Sequence, residues 1–180
     1  MTRISGRAVL FVIAVLWPGL VVAQSPKLQL DHLNRLAEKA SSIVNIDLDE
    51  AMLQQTAGFL AGKNADEQKV RTLLTGLKGI AVRSFEFKTP GAYSASDVEQ
   101  IQKQLNGAKW VRIVSVHEKD ETTDIYFFRE GNQNGGLVVL NAEPLELTVV
   151  NIVGRVDLAT IASMGQIIPK VRALERPPVK

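Results

Sequence analysis

From Leu30 onward the apolar residues follow two rhythms. Leu30, Leu33, Leu36, Ala37 and Ala40 recur every three or four positions, with Asp31, Asn34, Arg35, Glu38 and Lys39 between them. That spacing predicts an amphipathic helix with one buried stripe. In SIVNIDL the period falls to two: Val44, Ile46 and Leu48 alternate with Asn45 and Asp47, which predicts a short strand. DLDE (Asp47 to Glu50) has the form of a capping box for a following helix, and NADE (Asn64 to Glu67) opens another, with Gly62 and Gly79 as the expected stops. After a strand from Leu77 to Phe87, a turn at Pro90 and Gly91 precedes a helix capped by Ser94 or Ser96 with Val98, Ile101 and Leu105 on one face. The helical rhythm then stops. WVRIVSVHE, TTDIYFFRE, GGLVVLNA and LELTVVNIVG are β-rich runs separated by KDE, GNQN and EP, which predicts a four-stranded antiparallel meander. Asp157 is placed to cap a last helix through Leu158, Ile161 and Ile168, ahead of Pro169 and a C-terminal tail.

The predicted order is helix, strand, two helices, strand, helix, four strands, helix. It implies a single α+β domain over residues 24–168: a two-layer fold with a mostly antiparallel sheet of five to six strands and the helices on one face, followed by a tail at 169–180.

One strand breaks its own pattern. In LKGIAVRSFEF, regular alternation sets Arg83 on the face of Phe85 and Phe87, and Ile80 and Val82 on the other. Two arrangements resolve this without burying a charge: a strand half-buried on both sides, or a β-bulge at Arg83-Ser84 that brings Val82, Phe85 and Phe87 to the core and turns Arg83 outward. The competing arrangement, Arg83 held among the phenylalanines as a ligand-gripping group, needs a carboxylate partner, and Glu86 lies on the wrong face to supply one.

The N-terminus changes the picture of the whole chain. Arg3 and Arg7 precede an apolar run from Ala8 to Trp17, a Pro18-Gly19 break, and small residues at Val21 and Ala23. This is the pattern of a secretory signal peptide, residues 1–23, cut after Ala23; a membrane span needs about 20 uninterrupted apolar residues. Removing 23 of 180 residues leaves 157, one domain's worth. The chain carries 21 basic and 19 acidic side chains, and losing Arg3 and Arg7 leaves 19 of each. The basic balance therefore belongs to the leader, and no Lys/Arg stripe suggests a nucleic-acid partner. With no cysteine, the sequence excludes disulfides, thiolate metal sites, cysteine nucleophiles and a lipidated cysteine behind the leader.

LNRLAEKA, LKGIAVRSFEF followed by PGAYS, and AEPLELTVVNIVG together resemble a family of exported bacterial proteins catalogued as domain of unknown function 4252. The likeness runs from about Leu28 to about Ile168. The family has no established activity, substrate or catalytic residues, so the resemblance implies none here. It implies export, a single domain and, from genes neighbouring envelope-signalling genes, a sensing or partner-binding role.

Candidate chemistry is thin. Ser115 and His117 lie two apart on one strand and suggest half of a hydrolase triad, without a Gly-x-Ser-x-Gly elbow. His32 reads as a solvated helix residue. Asn45, Asp47 and Asp49 have the alternate spacing that opens a calcium loop, but Glu50 and Thr56 occupy the positions that need Gly and Glu. Glu118, Asp120, Glu121 and Asp124 read as a hairpin tip, and GNQNGG as a hairpin turn rather than a phosphate loop. No cofactor is expected.

The reading that follows is an exported, non-enzymatic interaction or sensing domain of the bacterial envelope, periplasmic or extracellular, with an envelope protein as partner. The alternative is a module for a small apolar ligand or lipid, and an unrecognised hydrolase stands third. The candidate interaction strand is LELTVVNIVG, with Val149, Val150 and Ile152 apolar on both faces. At a sheet edge it would accept another strand; at the centre it would be buried.

Overall fold

In the computed structural model, residues 25–131 and 133–155 are described; the signal segment, the last helix and the C-terminal tail read from the sequence lie outside them. The chain runs through a 3-10 helix (η1, Asp31–Glu38), β1 (Ser42–Asp49), α1 (Glu50–Phe59), α2 (Ala65–Gly76) and β2 (Leu77–Glu86), then α3 (Ala95–Leu105), β3 (Trp110–Glu118), β4 (Glu121–Glu130), β5 (Gln133–Glu143) and β6 (Glu146–Gly154). All six strands join one antiparallel sheet in the order β1-β2-β6-β5-β4-β3. The α1-α2 pair links the neighbours β1 and β2, α3 carries the chain across to the far edge, and the meander returns until β6 closes against β2. The α+β class and the meander are as the sequence predicts.

The helices cover both faces of the sheet, not one. On the first face, Leu33 and Leu36 of η1 and Ile101 and Leu105 of α3 pack with Phe85, Tyr126, Phe128, Leu140, Leu147 and Val149. On the second, Leu53 of α1 and Leu73 and Leu74 of α2 pack with Ile80, Val82, Ile125, Phe127, Val139, Val150 and Ile152. Two covered faces explain why β4, β5 and β6 read as nearly unbroken apolar runs, a pattern that alternation alone attributes to one-sided burial.

Local choices differ from the expectation at three places. Asp49, rather than Asp47, caps α1, its Oδ1 accepting from Met52 N at 2.8 Å. The helix α2 ends at Gly76, while Gly79 belongs to β2 opposite Asp49. His32 is half-buried, its Nε2 3.3 Å from the carbonyl oxygen of Asp97. Asn64 caps α2 as predicted. At the end of β6, Gly154 has φ 127°, and a Cβ there would lie 2.6 Å from the Gly76 carbonyl oxygen, so the strand can pass the end of α2 only as glycine.

The N-terminal segment is tied to the first face by side-chain amides. Asn151 Oδ1 accepts from Leu28 N and its Nδ2 donates to Pro26 O, each at 2.9 Å. Gln104 of α3 repeats the pattern on Gln29, at 2.8 and 2.9 Å. These bonds satisfy backbone groups of an extended stretch that has no strand neighbour, and Leu28 and Leu30 are buried beside it.

Candidate functional site

The first candidate from the sequence is β6. It is hydrogen-bonded to β2 on one side and β5 on the other, and Val149, Val150 and Ile152 are buried in the two cores. No strand can add there, so the idea of β6 as an accessible edge is corrected: both of its faces are apolar because both are covered.

Arg83 is not at a bulge. The register of β2 runs without a shift from Gly79 to Glu86 against both neighbours, and the only irregularity lies between Leu77 and Gly79. Arg83 stays on the face of Phe85, opposite Asn45 and Val149, and its side chain is buried. The carboxylate it requires comes from β1: Nη2 donates to Asp47 Oδ2 at 2.7 Å, while Nη1 donates to the Ile46 and Val82 carbonyls at 3.1 and 3.0 Å. Its Nε is buried without a hydrogen-bond partner. The guanidinium thus buttresses the β1-β2 pair, and Asp47 does this in place of capping a helix.

Beside that pair, a groove of about 320 Å³ opens on the first face. Gly79 and Ala81 form its floor, Asp47 and Asp49 one wall, and Asn151, Val153 and Lys27 the other. The calcium-loop spacing of Asn45, Asp47 and Asp49 is here laid along an extended strand, not wrapped round a point, and among the described residues no group of three or more metal-binding side chains is assembled.

Ser115, His117 and Asp124 do come together on β3 and β4. Their order is not that of a triad. Ser115 Oγ donates to Asp124 Oδ1 at 2.6 Å and lies 3.5 Å from His117 Nδ1, so the hydroxyl sits between the acid and the imidazole. A base-activated serine needs the imidazole in the middle. Asp124, read as part of a hairpin tip, is fully buried and also takes Arg112 at 3.6 Å and the Tyr126 hydroxyl at 3.4 Å. The acid is satisfied as a structural anchor for the edge strand.

The two edges of the sheet differ. Strand β3 is bulged between Arg112 and Val114, carries Arg112 and His117, and also exposes Ile113 and Val116. Strand β1 pairs regularly with β2 through all eight residues, has no lysine, arginine, proline or bulge, and exposes Ile43, Val44 and Ile46 at 46, 45 and 39%. Bulges, proline and charged residues are the usual protection of a free edge; β1 carries Asp47 and Asp49 but has neither bulge nor proline, so it is the more regular of the two.

A sequence profile described as "Domain of unknown function (DUF4252)" matches residues 38–164. The chain belongs to this family. In this DUF4252 member the matched residues contain the whole sheet and every feature just described except Lys27. No curated protein and no solved structure matches the chain. Among the described residues, no helix is long and apolar enough to cross a membrane.

Sequence reasoning missed β1 as the open edge and Asp47 as the partner of Arg83. A signal for the second was present: an arginine kept on the core face requires a carboxylate, and Asp47 lies on the same side of an alternating strand that could pair with β2.

Proposed function

We propose that this protein is an exported, non-enzymatic partner-binding domain of the bacterial envelope that recruits its partner by strand addition along β1. The observation that carries the reading is the regular, unbulged β1 edge with Ile43, Val44 and Ile46 exposed along it. The signal-like N-terminus supports export. The inverted Ser115-Asp124 geometry supports a role other than hydrolysis. The test is a pair of substitutions read by pull-down and thermal melting. Val44→Lys abolishes partner capture and leaves the melting temperature within the range of surface changes, whereas Val150→Lys unfolds the domain by forcing a charge into the second core. Capture undiminished by Val44→Lys overturns the proposal.

A second reading, a small-molecule module, draws on the groove between Asp47, Asp49 and Lys27. Its charges of both signs suit a polar zwitterion rather than the apolar ligand expected from the sequence. A melting shift with such ligands that Lys27→Ala removes would favour it.

A further inference from the structure

The open edge has a chemistry that selects its occupant, and the inference drawn from it rests on the reading of β1 as the pairing strand. We propose that the strand added to β1 is β1 of a second copy of this chain, antiparallel to the first about a two-fold axis through Ile46.

Antiparallel neighbours place residues of the same face opposite one another, so only a few registers are open to a strand pairing with itself. A dyad at Ile46 sets Ile46 against Ile46 of the partner subunit and Val44 against Leu48 of the partner subunit. The second-face row of β1, Val44, Ile46 and Leu48, then meets only itself. On the first face the same register sets Asn45 against Asp47 of the partner subunit, an amide beside a carboxylate, and Ile43 against Asp49 of the partner subunit. No acid faces an acid. A dyad at Asp47 would bring two carboxylates together, which is destabilising across strands, and a dyad at Val44 or Asn45 leaves Ile46 or Leu48 opposite Ser42. Asp47 Oδ2 is already engaged by Arg83, so the pairing adds to the existing buttress without disturbing it.

The other edge determines where assembly stops. Strand β3 also exposes Ile113 and Val116, but its bulge between Arg112 and Val114 interrupts the regular ladder that a second pairing needs. With β1 the one regular edge among the described residues, pairing through it gives a closed two-fold dimer rather than a fibre, with two six-stranded sheets joined at β1 and β3 at both outer margins.

The chain contains no cysteine, so Ile46→Cys introduces a single thiol at the dyad, where paired Cα atoms about 4.5–5.5 Å apart fall within disulfide range. The expected results are a mass of two chains for the mature wild-type protein by light scattering, one chain for Val44→Lys with a cooperative melt that matches the wild type's once both are diluted to monomer, and rapid oxidation of Ile46→Cys to a disulfide-linked dimer. Val116→Cys on β3 serves as the control and stays monomeric. A wild-type mass of one chain at the highest soluble concentration, or Ile46→Cys crosslinking no faster than Val116→Cys, overturns the second copy as occupant. If that happens while crosslinking from Val44 in cells still captures a different protein, the edge reading stands and the occupant is that protein. If Val44→Lys alters neither mass nor crosslinking, the edge reading falls with it.

Discussion

Asp97 is fully buried yet ionised. Burial pushes its carboxyl up, but the amide and hydroxyl of Ser94 and the guanidinium of Arg35 outweigh it and hold the carboxyl below the usual carboxylate range. Through these bonds one side chain fastens η1 to the start of α3. A group whose folded pKa is depressed contributes stability above its unfolded value, about 3.9, and loses it as pH falls through the folded value. Asp97→Ala removes a capping box and a charged hydrogen bond while leaving Arg35 free to reach solvent, and is expected to cost about 1–2 kcal/mol near neutrality, with the gap from wild type narrowing in denaturant titrations as pH falls below about 3.9. The alkaline side runs the other way. Burial, with the Glu143 charge, raises Tyr93, and burial, with the Asp124 charge, raises Tyr126, so folding loses their contribution as pH rises beyond about 10.

Within the elements, the β1-β2 pair shows how much a sequence conceals. The break at Arg83 was legible in β2, but the bulge read from it is absent and the alternation is regular. What was not legible was that an arginine could stay on the core side, because its partner lies 36 residues away on another strand and only the register brings Asp47 into reach. The pair predicts an asymmetry. Arg83→Met, which exchanges the guanidinium for an apolar chain, is expected to change stability by less than about 1 kcal/mol, while Asp47→Ala, which leaves a buried cation with only carbonyl partners, costs about 1–2 kcal/mol. Urea unfolding of the two variants checks the order. Strand existence, the meander and two of the helix caps followed from period and turn composition. The cap is Asp49 rather than Asp47 because β1 stays paired to its last residue and α1 starts at Glu50, and the reach of Asn151 to Pro26 and Leu28 depended on where the N-terminal segment would lie.

At the scale of the molecule, burial on both faces assigns the strands their roles. The apolar run of β6 looked like a surface in need of a partner, and its partners are β2, β5 and two helix layers. The strand that looked ordinary, SIVNIDL, lies at a margin, with Ile43, Val44 and Ile46 in solvent. Hydrophobicity along a chain does not tell centre from edge; strand order does, and strand order here depends on α3 carrying the chain to the far margin before the meander begins.

Site-specific photocrosslinking in intact producing cells, with a benzophenone side chain at position 44 on β1 and, separately, at position 116 on β3, tests the binding edge most directly. A discrete adduct from position 44 and none from position 116 is the predicted result, whether the adduct is a second copy or another protein. Equal labelling from both edges, or no adduct from position 44, would contradict β1 as the surface through which this protein works.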